Sequence, residues 1–218
     1  ASLINALLVV GKKINDVKIV FAGAGAGGIA SAKLLNGYGA KNTVLVDSQG
    51  IIHRGRPDLS QIKTEMLDIT NPDGDTGDLA EALTGADIFI GLSVGDTVSQ
   101  RMVQSMAKDA IVLAAANPTP EIMPDLAREA GAAVVGTGRS DFPNQINNSL
   151  AFPGVFRGAL DVRATRITDG MKISAAEALA GLVAEPTAER IIPWSLDPVV
   201  VPAVSKAVAE KWQSDNSS

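Results

Sequence analysis

Cysteine is absent from this 218-residue chain, histidine occurs once, and aromatic residues make up only 4% of the sequence. The absence of cysteine excludes disulfides, thiolate metal ligands and a cysteine nucleophile. The single histidine, His53, excludes a cluster of histidine ligands, and we interpret it as a surface residue. Nineteen basic side chains face 24 acidic ones, and the net charge of -5 provides no electrostatic footprint for nucleic acid or an anionic membrane.

The sequence is rich in small aliphatic side chains and poor in aromatic ones. Hydrophobic residues make up 46% of the chain, which excludes general disorder. Because aromatics are so few, the core must be built from Ala, Val, Ile and Leu, and these residues suit a parallel sheet buried on both faces. The lack of cysteine also fits a reducing compartment, and we expect the protein to be cytoplasmic.

Short β-branched runs alternate with helical patterns along the first two thirds of the chain. The predicted strands are 17–21, 43–47, 87–91, 110–114 and 132–135. The predicted helices are 26–36, 58–68, 79–83, 97–107, 122–130, 153–164, 170–183 and 198–212. This alternation predicts an α/β fold, a Rossmann-like, doubly wound and mostly parallel sheet of five strands with helices on both faces.

A glycine-rich turn joins the first predicted strand to the first helix that follows it. Gly23, Gly25 and Gly28 have the G-x-G-x-x-G spacing of dinucleotide-binding turns. Gly23 permits the tight turn, Gly25 lets a pyrophosphate approach the backbone, and Gly28 lets the helix pack closely on the sheet. The predicted cofactor-binding residues of this turn are Gly23, Ala24, Gly25, Ala26, Gly27 and Gly28. The alternative is an ordinary glycine-rich turn that binds no ligand.

Asp47 ends the second predicted strand, 19 residues after Gly28. A carboxylate there accepts hydrogen bonds from the adenine ribose and repels a 2′-phosphate, which favours NAD over NADP. The nearby Arg54, Arg56 and Lys63 leave this choice open, because cations hold a 2′-phosphate. The simpler interpretations are that Asp47 caps the strand and that the arginines lie on a solvated loop, and for the arginines we favour the latter.

Amide side chains follow the fourth and fifth predicted strands. Asn117 lies at the carboxyl edge of the sheet, where Pro118 favours an extended backbone, and its amide is placed to meet a carboxylate or the nicotinamide ribose. The alternative is a simple Asn-Pro turn. Asn147 and Asn148 belong to a polar segment, 139–148, that runs directly into apolar residues. Buried amides need partners, and a polar ligand is one candidate.

Five segments of the chain resemble the cofactor-binding domain of bacterial malic enzymes: GAGAGG, VDSQG, AAANPTPEI, TGRSDFPNQINNSLAFPGVFRGALDVRA and DGMKISAAEALA. The resemblance covers residues 1 to about 183, is most specific over 138–164, and extends more weakly through the last predicted helix. It implies a cofactor domain over 1–213, and the polar composition of the tail at 214–218 predicts that this tail is frayed. It also implies oxidation and decarboxylation of malate to pyruvate and carbon dioxide with NAD or NADP and Mg or Mn.

The same resemblance implies a role for each candidate residue. Residues 23–28 bind the dinucleotide and Asp47 meets its ribose. Asn117 and one of Asn147 or Asn148 reach the malate or the nicotinamide side of the cleft. The family's catalytic Lys and Tyr and its three metal-binding carboxylates precede this domain, so none is assigned to this chain.

We therefore expect a chain that binds cofactor and lacks the catalytic pair and the metal ligands. Its expected partners are the missing N-terminal malic domain and further copies of the enzyme. The apolar residues 1–10 fit a helix cut near its beginning, or alternatively a processed N-terminus. Two other hypotheses stay open: a stand-alone nucleotide-binding or regulatory module, and a dehydrogenase acting on another 2-hydroxy acid or an amino acid.

Overall fold

The computed structural model describes residues 1–217, which form two compact units. The sheet unit is Val10–Phe142, and the helical unit combines Ala1–Val9 with the chain from Pro143 onward. Both units therefore fall largely within the predicted domain 1–213. No helix within 1–217 is long and apolar enough to cross a lipid bilayer.

A six-stranded sheet, counted over the described residues, forms the centre of the sheet unit. Its strands are β1 (Lys18–Ala22), β2 (Asn42–Asp47), β3 (Gly50–Ile51), β4 (Ile88–Gly91), β5 (Ile111–Ala114) and β6 (Val134–Thr137). Their order is β3-β2-β1-β4-β5-β6, and every pairing is parallel except that of β3 with β2. The predicted Rossmann-like class is confirmed.

The prediction of five strands is wrong by one, because β3 was not foreseen. It is two residues long and pairs only through Val46 with Ile51 and Asp47 with Gly50. Two residues are too few to establish an alternating pattern, so no periodicity could indicate this strand. All residues of β5 and β6 are buried, as expected for parallel strands covered on both faces.

Five helices of the sheet unit connect these strands within the described chain. They are α2 (Ala26–Gly37), α3 (Gln61–Met66), α4 (Leu79–Leu83), α5 (Gln100–Gln104) and α6 (Pro124–Glu129). Helices α3, α5 and α6 are shorter than the predicted 58–68, 97–107 and 122–130. Capping explains why α5 begins later than predicted. The Ser99 side chain accepts from the Met102 N–H, so the helix begins at Gln100. The Thr97 hydroxyl instead donates to the Val94 carbonyl outside the helix.

The helical unit contains α1 (Ser2–Val10, whose last residue is assigned to the sheet unit), a short 3₁₀ turn (Asn148–Leu150), α7 (Phe152–Asp161), α8 (Asp169–Gly181) and α9 (Val200–Asp215). Helices α7 and α9 pack closely because α7 presents glycines to α9. A methyl group at Gly154 would lie 2.6 Å from Val204 Cβ, and one at Gly158 would lie 2.3 Å from the Ser205 carbonyl oxygen. Small residues thus permit this contact.

Helix α9 runs further than predicted and includes part of the predicted tail. Ser214 and Asp215 are helical, and Asp215 pairs with Lys211 one turn earlier, at 2.7 Å. Such a pair supports the last turn of a helix, which explains why it does not stop at 212. The final residue of the predicted tail, Ser218, lies outside the described residues.

Candidate functional site

The topology of the sheet creates a crevice at the carboxyl ends of β1 and β4. From β1 the chain passes to β2 on one side, and it later returns to add β4 on the other. Loops that leave adjacent parallel strands in opposite directions separate at such a point, where open α/β sheets bind ligands. A cleft of about 420 Å³ lies there. It is lined by Ala22, Gly23, Ala24, Gly25, Val46, Asp47, Ser48, Lys63, Leu79, Ser93, Val94 and Thr97.

Two glycines of the turn after β1 are required by contacts within the chain. Gly23 has a φ of +111°, and a methyl group on it would lie 2.5 Å from the Leu92 carbonyl oxygen. A methyl group on Gly28 would lie 1.8 Å from the Gly23 carbonyl oxygen. The predicted tight turn and the predicted close approach of the helix are both confirmed by this geometry.

Gly25 is different, because nothing in the chain requires a glycine there. It is exposed, lines the cleft, and has no atom within 4 Å of the position of a Cβ. It also occupies the N-cap of α2 without a capping side chain, and the first helical bond runs from the Ile29 N–H to its carbonyl oxygen. The N–H groups of residues 26–28 precede that bond, and such groups at a helix start attract phosphate.

Asp47 lies across the cleft at the end of β2, with its carboxylate held by four donors. The Arg56 guanidinium donates to both carboxylate oxygens, at 2.8 and 3.2 Å. Lys63 Nζ donates at 2.6 Å and the Gln49 N–H at 2.9 Å. Arg56 also pairs with Asp58. The negative charges of two carboxylates and the positive charges of two cations therefore cancel beside the cleft.

The favoured interpretation of the arginines as a solvated loop is wrong for Arg56. Its side chain is 8% exposed because it fills the space between Asp47 and Asp58. Hydrogen bonds to Asp58 and then Asp47 raise the pKa of Arg56, so it stays charged. Arg54 does follow the favoured interpretation, since its side chain is 71% exposed and pairs with an equally exposed Asp68.

The surroundings of Asp47 restrict how it meets a ribose. A carboxylate offers about four acceptor positions, and four donors already occupy those of Asp47. A ribose hydroxyl reaches it only in place of one donor. Lys63 is the candidate, because it lines the cleft and its side chain is 26% exposed, against 8% for Arg56.

Asn117 lies in the loop after β5, at the predicted carboxyl edge of the sheet. It is exposed, its peptide bond to Pro118 is cis, and it is not among the residues that line the cleft. Its side chain makes no hydrogen bond within the part of the chain that the structure describes. Its amide groups are thus available, and its role stays a prediction.

The amides of segment 139–148 have three different environments in the helical unit. Asn144 is buried, donates to the Ala188 carbonyl at 2.7 Å and accepts from the Ile191 N–H at 2.8 Å. Its partners therefore come from the chain and not from a ligand. Asn147 is half-buried and caps the 3₁₀ turn, whereas Asn148 is exposed.

Glu121, in the loop after β5, is a wholly buried residue that the sequence patterns did not indicate, and it bonds to Ser93 in the loop after β4. Its signal is an acidic residue between a Pro-rich turn and an apolar run, in the order Pro120, Glu121, Ile122. That pattern also fits a solvated turn, so only the structure distinguishes the two. Over residues 1–217, no group of three His, Asp or Glu side chains is arranged to hold a metal ion.

Comparison with known proteins gives a consistent result. Residues 1–213 match the family model described as the malic enzyme NAD-binding domain. The chain is 56% identical to the bifunctional malic/malolactic enzyme of Bacillus subtilis and 45% identical to the NADP-dependent malic enzyme of Halomonas elongata, with 96% of the chain covered in each case. The NAD-dependent malic enzyme of Thermotoga maritima superposes with a TM-score of 0.92 at 47% identity, over 95% of this chain and 55% of that one. The chain spans about half the length of the curated relatives, 52% and 53%.

Proposed function

This chain belongs to the malic enzyme family as its NAD-binding domain, and we propose that it holds NAD or NADP for the oxidative decarboxylation of malate to pyruvate and carbon dioxide. The observation that carries this proposal is the environment of Gly25. It lines the cleft at the uncapped start of α2, with open space where a side chain would be. A pyrophosphate fits that space, because it needs backbone N–H groups and close approach.

Each part of the dinucleotide has residues that suit it. The N–H groups of 26–28 receive the pyrophosphate, and Asp47 receives the adenine ribose in exchange for its bond to Lys63. The exposed amide of Asn117 is suited to donate to a malate carboxylate or to the nicotinamide ribose, and one amide of Asn147 or Asn148 is suited to the substrate. The bound nicotinamide supplies the acceptor for the electrons removed from C2 of malate.

The contribution of this chain is position and orientation. Holding two reactants in a reactive arrangement lowers a barrier by several kcal/mol without any proton transfer. The proton donor and acceptor of the reaction, and the divalent metal that the family resemblance implies, are assigned to the half of the enzyme that the relatives have beyond this match. Residues 1–217 contain no group of three acidic or histidine side chains placed to hold that metal.

The structure favours neither NAD nor NADP. Asp47 and Asp58 oppose a 2′-phosphate, whereas Arg56 and Lys63 attract one, and the four charges balance. Relatives of both kinds have similar identities, 47% for the NAD-dependent and 45% for the NADP-dependent protein. Both nucleotides therefore belong in any binding test. We also propose that the enzyme is a homo-oligomer and that it is located in the cytoplasm.

Calorimetric titration of the chain with NADH and NADPH tests the nucleotide site. Gly25→Val places a side chain where the pyrophosphate lies and should weaken binding at least a hundredfold. Gly37→Val is the matched control, because Gly37 is at the other end of α2 and its Cβ position is equally open. Unchanged affinity in Gly25→Val refutes the site. Malate-dependent formation of NADH or NADPH by the intact enzyme, with and without Mn, tests the reaction.

A further inference from the structure

Glu121 is an acidic side chain with no exposed surface, and it bonds to Ser93 in the lining of the candidate cleft. Its Oε1 accepts from the Ser93 N–H at 2.9 Å and from the Ser93 hydroxyl at 3.4 Å, and its Oε2 accepts from the Ala116 N–H at 3.1 Å. No cation pairs with it among the described residues. A buried acid is costly unless hydrogen bonds compensate, so the two loops and the carboxyl group depend on each other.

The two backbone groups that Glu121 holds belong to the two loops most relevant to the site. Ser93 follows β4 and lines the cleft opposite the glycine turn. Ala116 follows β5 and immediately precedes Asn117. The Glu121 carboxyl group therefore links Ser93, in the wall of the cleft, to Ala116, the neighbour of the candidate substrate-binding residue Asn117. Backbone bonds from Asp96 to Pro120 and from Val98 to Glu121 strengthen the same connection, at 3.0 and 2.9 Å.

The space that the carboxyl group occupies exists only because β4 ends in glycine. A methyl group on Gly91 would lie 2.2 Å from the Glu121 carboxyl carbon and within 2.5 Å of both its oxygens. Non-bonded atoms do not approach so closely, so an alanine at 91 would force the Glu121 carboxyl group out of its hydrogen-bonding position. Gly91 at the end of β4 and Glu121 in the loop after β5 therefore pack as a matched pair.

We propose that Glu121 is a positioning residue that fixes the loops after β4 and β5, and through them the Ser93 wall of the cleft and the amide of Asn117. This inference rests on the proposed function, because it assumes that the cleft holds a dinucleotide. Glu121 lies under the loops and acts through Ser93 and Ala116. Its removal therefore loosens the site without deleting any group that contacts the ligand.

The test compares Glu121→Ala with the double variant Gly91→Ala/Glu121→Ala. The single variant loses the hydrogen bonds and leaves a cavity, so both the melting temperature and the NADH affinity should fall, the latter at least tenfold. In the double variant, the new methyl group of residue 91 refills part of the cavity but accepts no hydrogen bond. We expect it to regain only the part of the melting temperature that the cavity cost, while the affinity stays at least tenfold weakened.

Calorimetry with NADH and thermal unfolding give the two measurements, and amide hydrogen exchange at Ser93 and Ala116 gives a third. Exchange at both amides should be faster in the double variant than in the unaltered chain. Recovery of both affinity and melting temperature in the double variant would reduce Glu121 to a space-filling residue and overturn the inference. Native affinity in Glu121→Ala would also overturn it.

Two further outcomes are decided by the same measurements. If Glu121→Ala does not fold, Glu121→Gln takes its place, because it preserves the volume but can accept from only one of the two N–H groups. That variant should bind NADH several-fold more weakly, and native affinity would overturn the inference. If the unaltered chain binds neither NADH nor NADPH, the proposed function itself is refuted. If the unaltered chain binds and the Glu121 variants bind equally well, only the role of Glu121 is refuted.

Discussion

Gly28→Ala places the smallest possible side chain at the most crowded position of the glycine turn. The new Cβ would lie 1.8 Å from the Gly23 carbonyl oxygen and 2.9 Å from its carbonyl carbon. Both atoms belong to the backbone, so no side-chain rotation relieves the contact. The start of α2 must move away from the turn by more than an ångström to restore an ordinary distance.

The cost follows from this geometry. Inserting a methyl group into a packed site destabilises by about 1 to 3 kcal/mol, and a backbone clash belongs at the upper end of that range. Alanine recovers at most about 1 kcal/mol over glycine from helix propensity. We therefore expect Gly28→Ala to lower the free energy of unfolding by about 2 to 3 kcal/mol. For a unit of this size, that is a fall in melting temperature of about 10 °C.

Urea and thermal unfolding, followed by circular dichroism, measure this change. Gly37→Ala is the control, because it lies in the same helix with nothing within 4 Å of its Cβ position. It should be neutral or slightly stabilising. Equal midpoints for Gly28→Ala and Gly37→Ala would show that the turn and the helix are not in contact in solution, and the packing role of Gly28 would be refuted.

Two further predictions concern polar groups. Burial by itself raises the pKa of Asp47, but hydrogen bonds from Arg56 and Lys63 outweigh it and lower the pKa to about 2 from 3.8. The ionised carboxylate should therefore stabilise the fold by about 1 to 2 kcal/mol above pH 4, and this is lost as the pH falls towards 2. Urea midpoints across this range should fall less steeply in Asp47→Asn, and equal slopes would contradict the prediction. Asn144→Ala leaves the buried Ile191 N–H and the partly buried Ala188 carbonyl without this partner and should cost about 2 kcal/mol by thermal unfolding. The exposed Asn148→Ala should stay within about 0.5 kcal/mol.

The parallel part of the sheet was predictable from sequence because a doubly covered strand is apolar on both faces. β5 and β6 are wholly buried, and such runs have few alternative explanations. β3 was not predictable, since its pairing is a local consequence of the turn after Asp47. Helix boundaries depended on caps such as Ser99, which compete with neighbouring hydroxyl groups that look equally suitable in a sequence.

Charged residues were harder to assign than glycines. Arg56 sits in a polar segment that resembles a solvated loop, yet its side chain is buried between two carboxylates that lie nine and two residues away. Glu121 is held by backbone groups 28 and five residues away. A sequence pattern reports periodicity and local preference, whereas these burials depend on which loops the sheet brings together.

The glycines of the site illustrate why the structure is needed even where the motif is correct. Gly23, Gly28 and Gly91 are each required by atoms of the chain itself, so their lack of a side chain implies nothing about a ligand. Gly25 is required by no atom of the chain, but an open Cβ position alone is not a signal either, since Gly37 has one as well. Only Gly25 combines an open Cβ position with a place in the cleft and at an uncapped helix start. The geometric case for a pyrophosphate at this turn thus rests on Gly25, because its open Cβ position lies in the cleft beside the N–H groups of residues 26–28.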